Sequence, residues 1–325
     1  MKVLVTGGAG FIGSHLCDLL ISAGHHAVAF DDLSTGTLEN VAHLSGHPLF
    51  SFVRADIRDA RAVEGAMASC DAVVHLAARI GLKIIVESPL ETIEVNARGT
   101  ETVLEVASRR RVRTIVASTS EVYGHSTRIP SAESDPICFG SPTIGRWSYA
   151  CAKAYDEFYA LALHQERGLP AIVVRLFNTV GPRQTGRYGM VIPRFVTQAL
   201  AGEPLTVYGD GTQTRCFCSV DDVVGALLAM LERSDVAVGQ VFNIGNPEET
   251  SIESLAKLVI EMTGSASGIR YVPFSDAYPV GFEEIMRRVP NIDKARELLG
   301  FSPRSTLRSI LDDVIASVDR RERTA

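Results

Sequence analysis

The run Thr6-Gly7-Gly8-Ala9-Gly10-Phe11-Ile12-Gly13 constrains this chain more than any other feature. An apolar segment, Lys2 to Thr6, leads into it. An apolar pattern at helical spacing, Ile12, Leu16, Leu19 and Leu20, leads out of it. Glycines at 7, 10 and 13 between a strand and a helix have a direct physical reading. Gly7 permits the tight turn, Gly10 lets the backbone approach a pyrophosphate, and Gly13 lets the helix pack close on the strand. The helix N-terminus then offers free N–H groups and a positive dipole end to the phosphates. A glycine-rich turn alone is weak. Here Asp31 ends the next predicted strand, about 20 residues on, where a carboxylate binds adenosine ribose hydroxyls. Its charge repels a 2′-phosphate, and the adjoining Asp32, Ser34, Thr35 and Gly36, assigned to the same pocket, bring no cation to neutralise one. NAD is therefore expected rather than NADP.

The pattern beyond the motif alternates. Strands are predicted at Ala27 to Phe30, Phe50 to Arg54, Ala72 to Leu76, Thr114 to Ala117 and Ala171 to Leu176. Helices are predicted at Phe11 to Ala23, Ile93 to Ala107 and Trp147 to Glu166. This β-α-β rhythm predicts an α/β fold, a doubly wound parallel sheet of the Rossmann type. The rhythm breaks after Phe177, at a glycine-rich stretch holding Arg183, Arg187 and Arg194. A helix near Pro193 to Ala201 and strands Leu205 to Tyr208 and Val241 to Ile244 follow. The reading is a dinucleotide-binding domain over 1–180 that also receives about 216–245. A smaller C-terminal α/β substrate domain would be built from 181–215 and 246–325, capping the carboxyl edge of the sheet.

Composition narrows the partners. With a net charge of -6, the 325-residue chain has no electrostatic attraction to nucleic acid or anionic membrane. Arg109, Arg110, Arg111 and Arg113 follow a helical segment, where cations suit the negative dipole end. The six cysteines lack framework spacing, and Cys216 and Cys218 have no matching pair, so no metal site is expected. Without a signal-peptide pattern or a spanning apolar stretch, a soluble cytoplasmic protein is the expectation.

Tyr149 and Lys153 stand four apart on a predicted helix, on one face. Tyrosine has an ordinary pKa of about 10 and is a poor base near neutrality. A lysine ammonium one turn away, with a positive nicotinamide ring, favours the phenolate and tunes Tyr149 for proton transfer. Thr119 ends a predicted strand, where its hydroxyl can hold the hydroxyl being oxidised.

These segments, with His75-Leu-Ala-Ala78, Ser118-Thr-Ser-Glu-Val-Tyr-Gly124, Leu176-Phe-Asn178 and Pro204-Leu-Thr-Val-Tyr-Gly-Asp-Gly-Thr-Gln-Thr-Arg215, resemble the extended short-chain dehydrogenase/reductase family and its nucleotide-sugar branch. The similarity covers nearly the whole chain. It implies that Phe11, Ile12, Asp31, Asp56, Ile57, Leu76, Ala77, Ala78, Arg79, Asn96, Tyr149, Lys153 and Phe177 contact NAD. It implies a UDP-sugar substrate, with Asn178 and Arg215 on the diphosphate and Thr206, Val207 and Tyr208 beside the uracil. Ser120, Val191 and Arg288 join the substrate side. Pairing of the two long helices would make a homodimer.

The shared step is oxidation at the sugar 4-hydroxyl, and the ketone opens three routes. Glu121 resembles the Ser-Glu of UDP-glucuronate decarboxylases, and Ser120 before it counts against dehydration. Ala77 to Gly81 and Arg146 to Tyr149 depart from the decarboxylase pattern and pull towards 4-epimerases. A uronate would need a cation: Arg187, with Arg146 and Arg183 as rivals. The expectation is a 4-epimerase acting on UDP-glucuronate or UDP-glucose, with decarboxylation to a UDP-pentose as the alternative. A non-catalytic NAD sensor is disfavoured by the complete Thr119, Tyr149 and Lys153 set.

Overall fold

A computed structural model describes residues 1–81, 85, 88–186, 189–278 and 283–324, with side chains to 320. The strands in chain order are β1 (Lys2–Thr6), β2 (His26–Asp31), β3 (Phe50–Arg54), β4 (Ala72–His75), β5 (Arg113–Thr119), β6 (Ala171–Leu176), β7 (Thr179–Val180), β8 (Leu205–Tyr208), β9 (Thr214–Cys216), β10 (Cys218–Ser219), β11 (Val241–Ile244), β12 (Glu249–Ser251) and β13 (Ile269–Val272). Seven of them form one parallel sheet in the order β11-β6-β5-β4-β1-β2-β3.

Alternation along these strands separates two cores. Val3 and Val5 of β1 pack with Ala27, Ala29, Val74, Ile115, Ile172 and Phe242 on one face. Leu4 packs with Val28, Phe30, Val73, Val116 and Val173 on the other. A strand buried on both faces reads as a continuous apolar run, which is why the sequence shows these segments well. Full burial of each such side chain contributes about 1.5–3 kcal/mol. The helix Val220–Glu232 joins the first core through Val220, Val223, Leu227 and Met230, and so do Ile292, Ala295, Leu299 and Phe301. A further core gathers Phe195, Val196, Leu205, Val207, Leu255, Val259, Ile310 and Leu311 around the helix Val191–Leu200. There β8 pairs in parallel with β13, and β9 runs antiparallel to β12.

Chain direction across the sheet reverses between β1 and β4, so the carboxyl ends of these two strands frame a crevice. Thr6 and His75 are register partners at that edge. The Trp147–Arg167 helix, which ends at Gly168 in the left-handed conformation, packs beside it and carries two of the candidate site residues. The predicted helix over 93–107 is three pieces: Pro89–Ile93, a π-helical turn Glu94–Arg98, and Gly99–Arg110.

Candidate active site

The glycine turn behaves as its spacing predicts. Gly7 has φ +70, and its N–H donates to the Phe30 carbonyl at 2.8 Å. A Cβ at Gly13 would lie 2.1 Å from the Gly7 carbonyl oxygen. Gly8 is equally constrained: a Cβ there would stand 2.6 Å from Ala29 Cβ. A Cβ at Gly10 would meet only the Gly7 carbonyl, at 3.0 Å for its oxygen, and otherwise project into open space. Gly10 is the N-cap of the Phe11–Ser22 helix and supplies no side-chain cap, so the first-turn N–H groups are left to a ligand.

Asp31 is 7% exposed and its carboxylate is held by two amides, Ala9 N–H at 3.0 Å and Leu33 N–H at 2.8 Å. Burial raises its pKa, and the two amide bonds oppose that rise. The cleft wall from 31 to 37 carries no lysine or arginine. A 2′-phosphate would therefore face a fixed carboxylate without compensation. Wild-type protein is expected to bind NAD at least about tenfold more tightly than NADP; equal dissociation constants by calorimetry would contradict this.

The crevice is a cavity of about 1290 Å³. That exceeds the ~300–1,000 Å³ of one small-molecule site and has room for a dinucleotide and a second nucleotide-sized ligand. Gly7, Gly10, Phe11, Ile12, Gly13, Asp31, Asp32, Ser34, Thr35, Gly36, Asp56, Ile57, Leu76, Ala77, Ala78, Arg79 and Phe177 line its cofactor side. Thr119, Ser120, Glu121, Tyr149, Lys153, Asn178, Val191, Tyr208, Arg215 and Arg288 line the rest.

Three expected residues lie elsewhere. Asn96 is fully buried in the π-helical turn, where its amide bonds both the N–H (2.8 Å) and the carbonyl (3.1 Å) of Arg79. It shapes the cofactor wall from behind. Val207 points into the core around the Val191–Leu200 helix, because strand alternation gives the cleft to Tyr208 instead. Thr206 is tied to Gln198, through its hydroxyl at 2.9 Å and its N–H at 3.1 Å. Arg187 lies outside the described residues.

Tyr149 is 4% exposed and hydrogen-bonded to Thr119. Thr119 ends β5 and caps the 3₁₀ turn Ser120–Tyr123 by accepting from Glu121 N–H at 3.2 Å. Lys153 Nζ donates to Asp156 at 3.0 Å, and both are buried. The expectation that Lys153 dominates the tyrosine is thus modified. Burial, then the charges of Glu121 and Asp156, push the phenol up, while the Thr119 hydrogen bond and Arg288 oppose them. Asp156 was the missing partner; its position three residues after Lys153, on the buried face, is the only sequence signal for it.

Beside Tyr149 stands a cationic cluster. Arg288 pairs with Glu121 at 3.2 Å and reaches Asn178 Oδ1 at 3.4 Å. Arg215 and Arg146 share Glu284, at 2.6 and 3.5 Å. Burial first, and Arg288 next, pull the Arg215 guanidinium down to about 10. Three guanidiniums, Arg146, Arg215 and Arg288, thus gather on this wall of the cavity. Arg288 Nε is buried without a hydrogen-bond partner. Such a site is matched by an anion. Among the described residues there is no cluster able to hold a metal, and no helix is long and apolar enough to cross a membrane.

A doubly wound sheet with this cradle and this Thr-Tyr-Lys set defines a dinucleotide-dependent enzyme. The family model of the NAD dependent epimerase/dehydratase family matches residues 3–245, and the chain belongs to that family. NAD is its cofactor. A UDP-N-acetyl-alpha-D-glucosaminuronate decarboxylase of Bacillus cytotoxicus is 41% identical over 303 residues, covering 93% of this chain and 92% of the relative. UDP-glucuronic acid decarboxylase 1 of Arabidopsis thaliana is 36% identical, over 99% of this chain and 70% of the relative. Among solved structures, a UDP-glucuronic acid 4-epimerase of Bacillus cereus, in complex with UDP-glucuronic acid and NAD, superposes with a TM-score of 0.88 at 30% identity, over 99% of this chain and 100% of the other. The two sequence relatives favour the decarboxylase alternative over the 4-epimerase expected from the sequence, while the structural neighbour is a 4-epimerase.

Proposed function

We propose that this protein is an NAD-dependent decarboxylase of a UDP-linked uronate, acting through a 4-keto intermediate. The observation that carries the reading is the Glu121–Arg288 pair beside Tyr149. NAD, when bound, supplies the hydride acceptor and donor at the oxidised carbon. Tyr149 takes the proton of the 4-hydroxyl, and Thr119 orients that hydroxyl through its own. With C4 a ketone, the neighbouring carboxylate belongs to a β-keto acid. Its C–C bond breaks, CO₂ leaves, and the electron pair moves onto the carbonyl oxygen as an enolate. A solvent proton at C5 restores the ketone, and with hydride returned to C4 the proton held by Tyr149 goes back to the C4 oxygen. Glu121 favours decarboxylation because its carboxylate stands beside Tyr149. A uronate carboxylate placed against it faces a like charge, and that repulsion is relieved when it departs as neutral CO₂.

Arg215, Arg288 and Asn178 would hold the diphosphate, and the aromatic end formed by Tyr208, Tyr278 and Arg194, whose guanidinium lies 4.2 Å over the Tyr208 ring, would receive the base. The division into 1–180 with 216–245, and 181–215 with 246–325, fits a sheet domain and a smaller cap, with Ile292–Phe301 packing back on the sheet. Incubation with UDP-glucuronate, and separately with its 2-acetamido analogue, followed by chromatography is expected to give a UDP-pentose or its acetamido counterpart with release of CO₂. A C4-epimeric uronate as the product overturns decarboxylation and restores the epimerase reading.

The chain would act as a homodimer. Leu90 (70% exposed), Ile93, Tyr155 and Phe158 (68%) sit on the two adjacent helices at the surface. Contiguous exposed apolar side chains mark an interface. Phe158→Glu is expected to give monomers by sedimentation at concentrations where the wild type is dimeric; an unchanged mass contradicts the assignment.

A further inference from the structure

Behind the cofactor cradle runs a buried chain of hydrogen bonds that the steps above do not use. Ala77 N–H donates to Thr6 Oγ at 3.2 Å, and Thr6 Oγ meets His75 Nδ1 at 2.7 Å. His75 Nε2 meets Thr100 Oγ at 3.0 Å. Thr100 donates to Asp156 Oδ2 at 3.0 Å, the same oxygen that receives Lys153 Nζ. Thr6, His75, Thr100, Lys153 and Asp156 are all at most 2% exposed.

Chemistry fixes the direction of every bond. An ionised Asp156 only accepts, so the Thr100 proton points at it and Thr100 accepts from His75 Nε2–H. His75 Nδ1 is then bare and accepts the Thr6 proton, which leaves Thr6 Oγ to take the Ala77 amide. Burial, and secondarily Lys153, hold His75 neutral, down to about 3. Two strand ends, of β1 and β4, one helix and the catalytic helix are thereby locked to a single carboxylate.

We propose that Asp156 is a positioning residue for the Tyr149–Lys153 pair: it fixes Lys153 Nζ, offsets its charge, and so sets the pH at which Tyr149 acts as a base. The Thr6–His75–Thr100 chain ties that carboxylate to the backbone of the cofactor loop. The inference rests on Tyr149 being the proton acceptor. The charged groups bearing on Tyr149 are Glu121 from the 3₁₀ turn, Arg288 from the C-terminal segment, and Asp156 from its own helix, with Thr119 hydrogen-bonded from β5. Asp156 in turn faces Lys153 and Glu157 on its own helix and Thr100 from the neighbouring one, with His75 beyond. Removing the negative charge at 156 favours the phenolate, so the acid limb moves to lower pH.

The test is the pH profile of kcat/KM for the NAD-loaded enzyme. Asp156→Asn and Asp156→Ser are each expected to move the acid limb down by roughly one pH unit, and Asp156→Glu to restore it. The serine variant, smaller and open to water, keeps the test available if the asparagine variant does not fold. Thr100→Val keeps the carboxylate and is expected to leave the limb in place; a shift equal to that of Asp156→Asn overturns charge balance as the cause. An acid limb at the wild-type pH in both neutral variants overturns the proposal. Tyr149→Phe separates the two layers. Full turnover in that variant sinks the underlying reading, whereas an inactive Tyr149→Phe together with an unmoved limb in Asp156→Asn and Asp156→Ser sinks this inference alone.

Discussion

Tyr149→Phe is expected to lower kcat by ~10²–10⁴-fold while NAD remains bound with its wild-type stoichiometry. The substitution removes one oxygen from a side chain that is 4% exposed, so packing is almost unchanged. What is lost is the phenolic oxygen at the Thr119 hydroxyl, the atom placed to take the substrate proton. The cofactor cradle does not depend on it, because the pyrophosphate end is built from Gly7, Gly10 and the Phe11–Ser22 helix. Turnover and bound NAD measured on the same preparation check both halves. Unchanged turnover refutes the role of Tyr149, and loss of NAD shows that the phenol holds the cofactor instead.

Gly13→Ala is expected to be the most damaging single methyl in the cofactor turn. The added carbon would stand 2.1 Å from the Gly7 carbonyl oxygen and 2.9 Å from Gly8 Cα. Both neighbours are backbone, so no side chain can rotate away and the helix must lift off the turn. Overpacking that the backbone must absorb costs about 3 kcal/mol or more. The urea midpoint should fall and NAD binding should fall with it. Gly10→Ala is the control, since its methyl meets only the Gly7 carbonyl and open space. It should leave the midpoint close to wild type and weaken NAD alone. Equal midpoints for the two variants would show that close helix–strand approach is not what Gly13 provides.

The parts of this molecule that local rules govern are legible before any coordinates. Val3, Leu4 and Val5 are buried on alternating faces, so β1 has to read as an unbroken apolar run. The glycine spacing, Asp31 and the Tyr149–Lys153 pair are likewise set by strand, turn and helix geometry. Tertiary pairing is a different matter. Asp156 and Glu157 read as ordinary helix-surface acids, yet one receives Lys153 and the other a bidentate Arg175 from β6. Asn96 is turned from a cofactor contact into a clamp on Arg79 by a π-helical turn that no periodicity announces. Arg288 and Glu121 are 167 residues apart, and no spacing rule joins them. The strands β7, β9, β10 and β12, of two or three residues, are too short to show alternation.

The reaction itself can be followed by isotope. A UDP-uronate carrying deuterium at C4 should turn over with a primary isotope effect, and the isolated product should keep the deuterium at C4, because the hydride leaves and returns within one closed site. Full retention is what the Tyr149–NAD account requires. Washout of deuterium into solvent, or turnover at the same rate as unlabelled substrate, would contradict it.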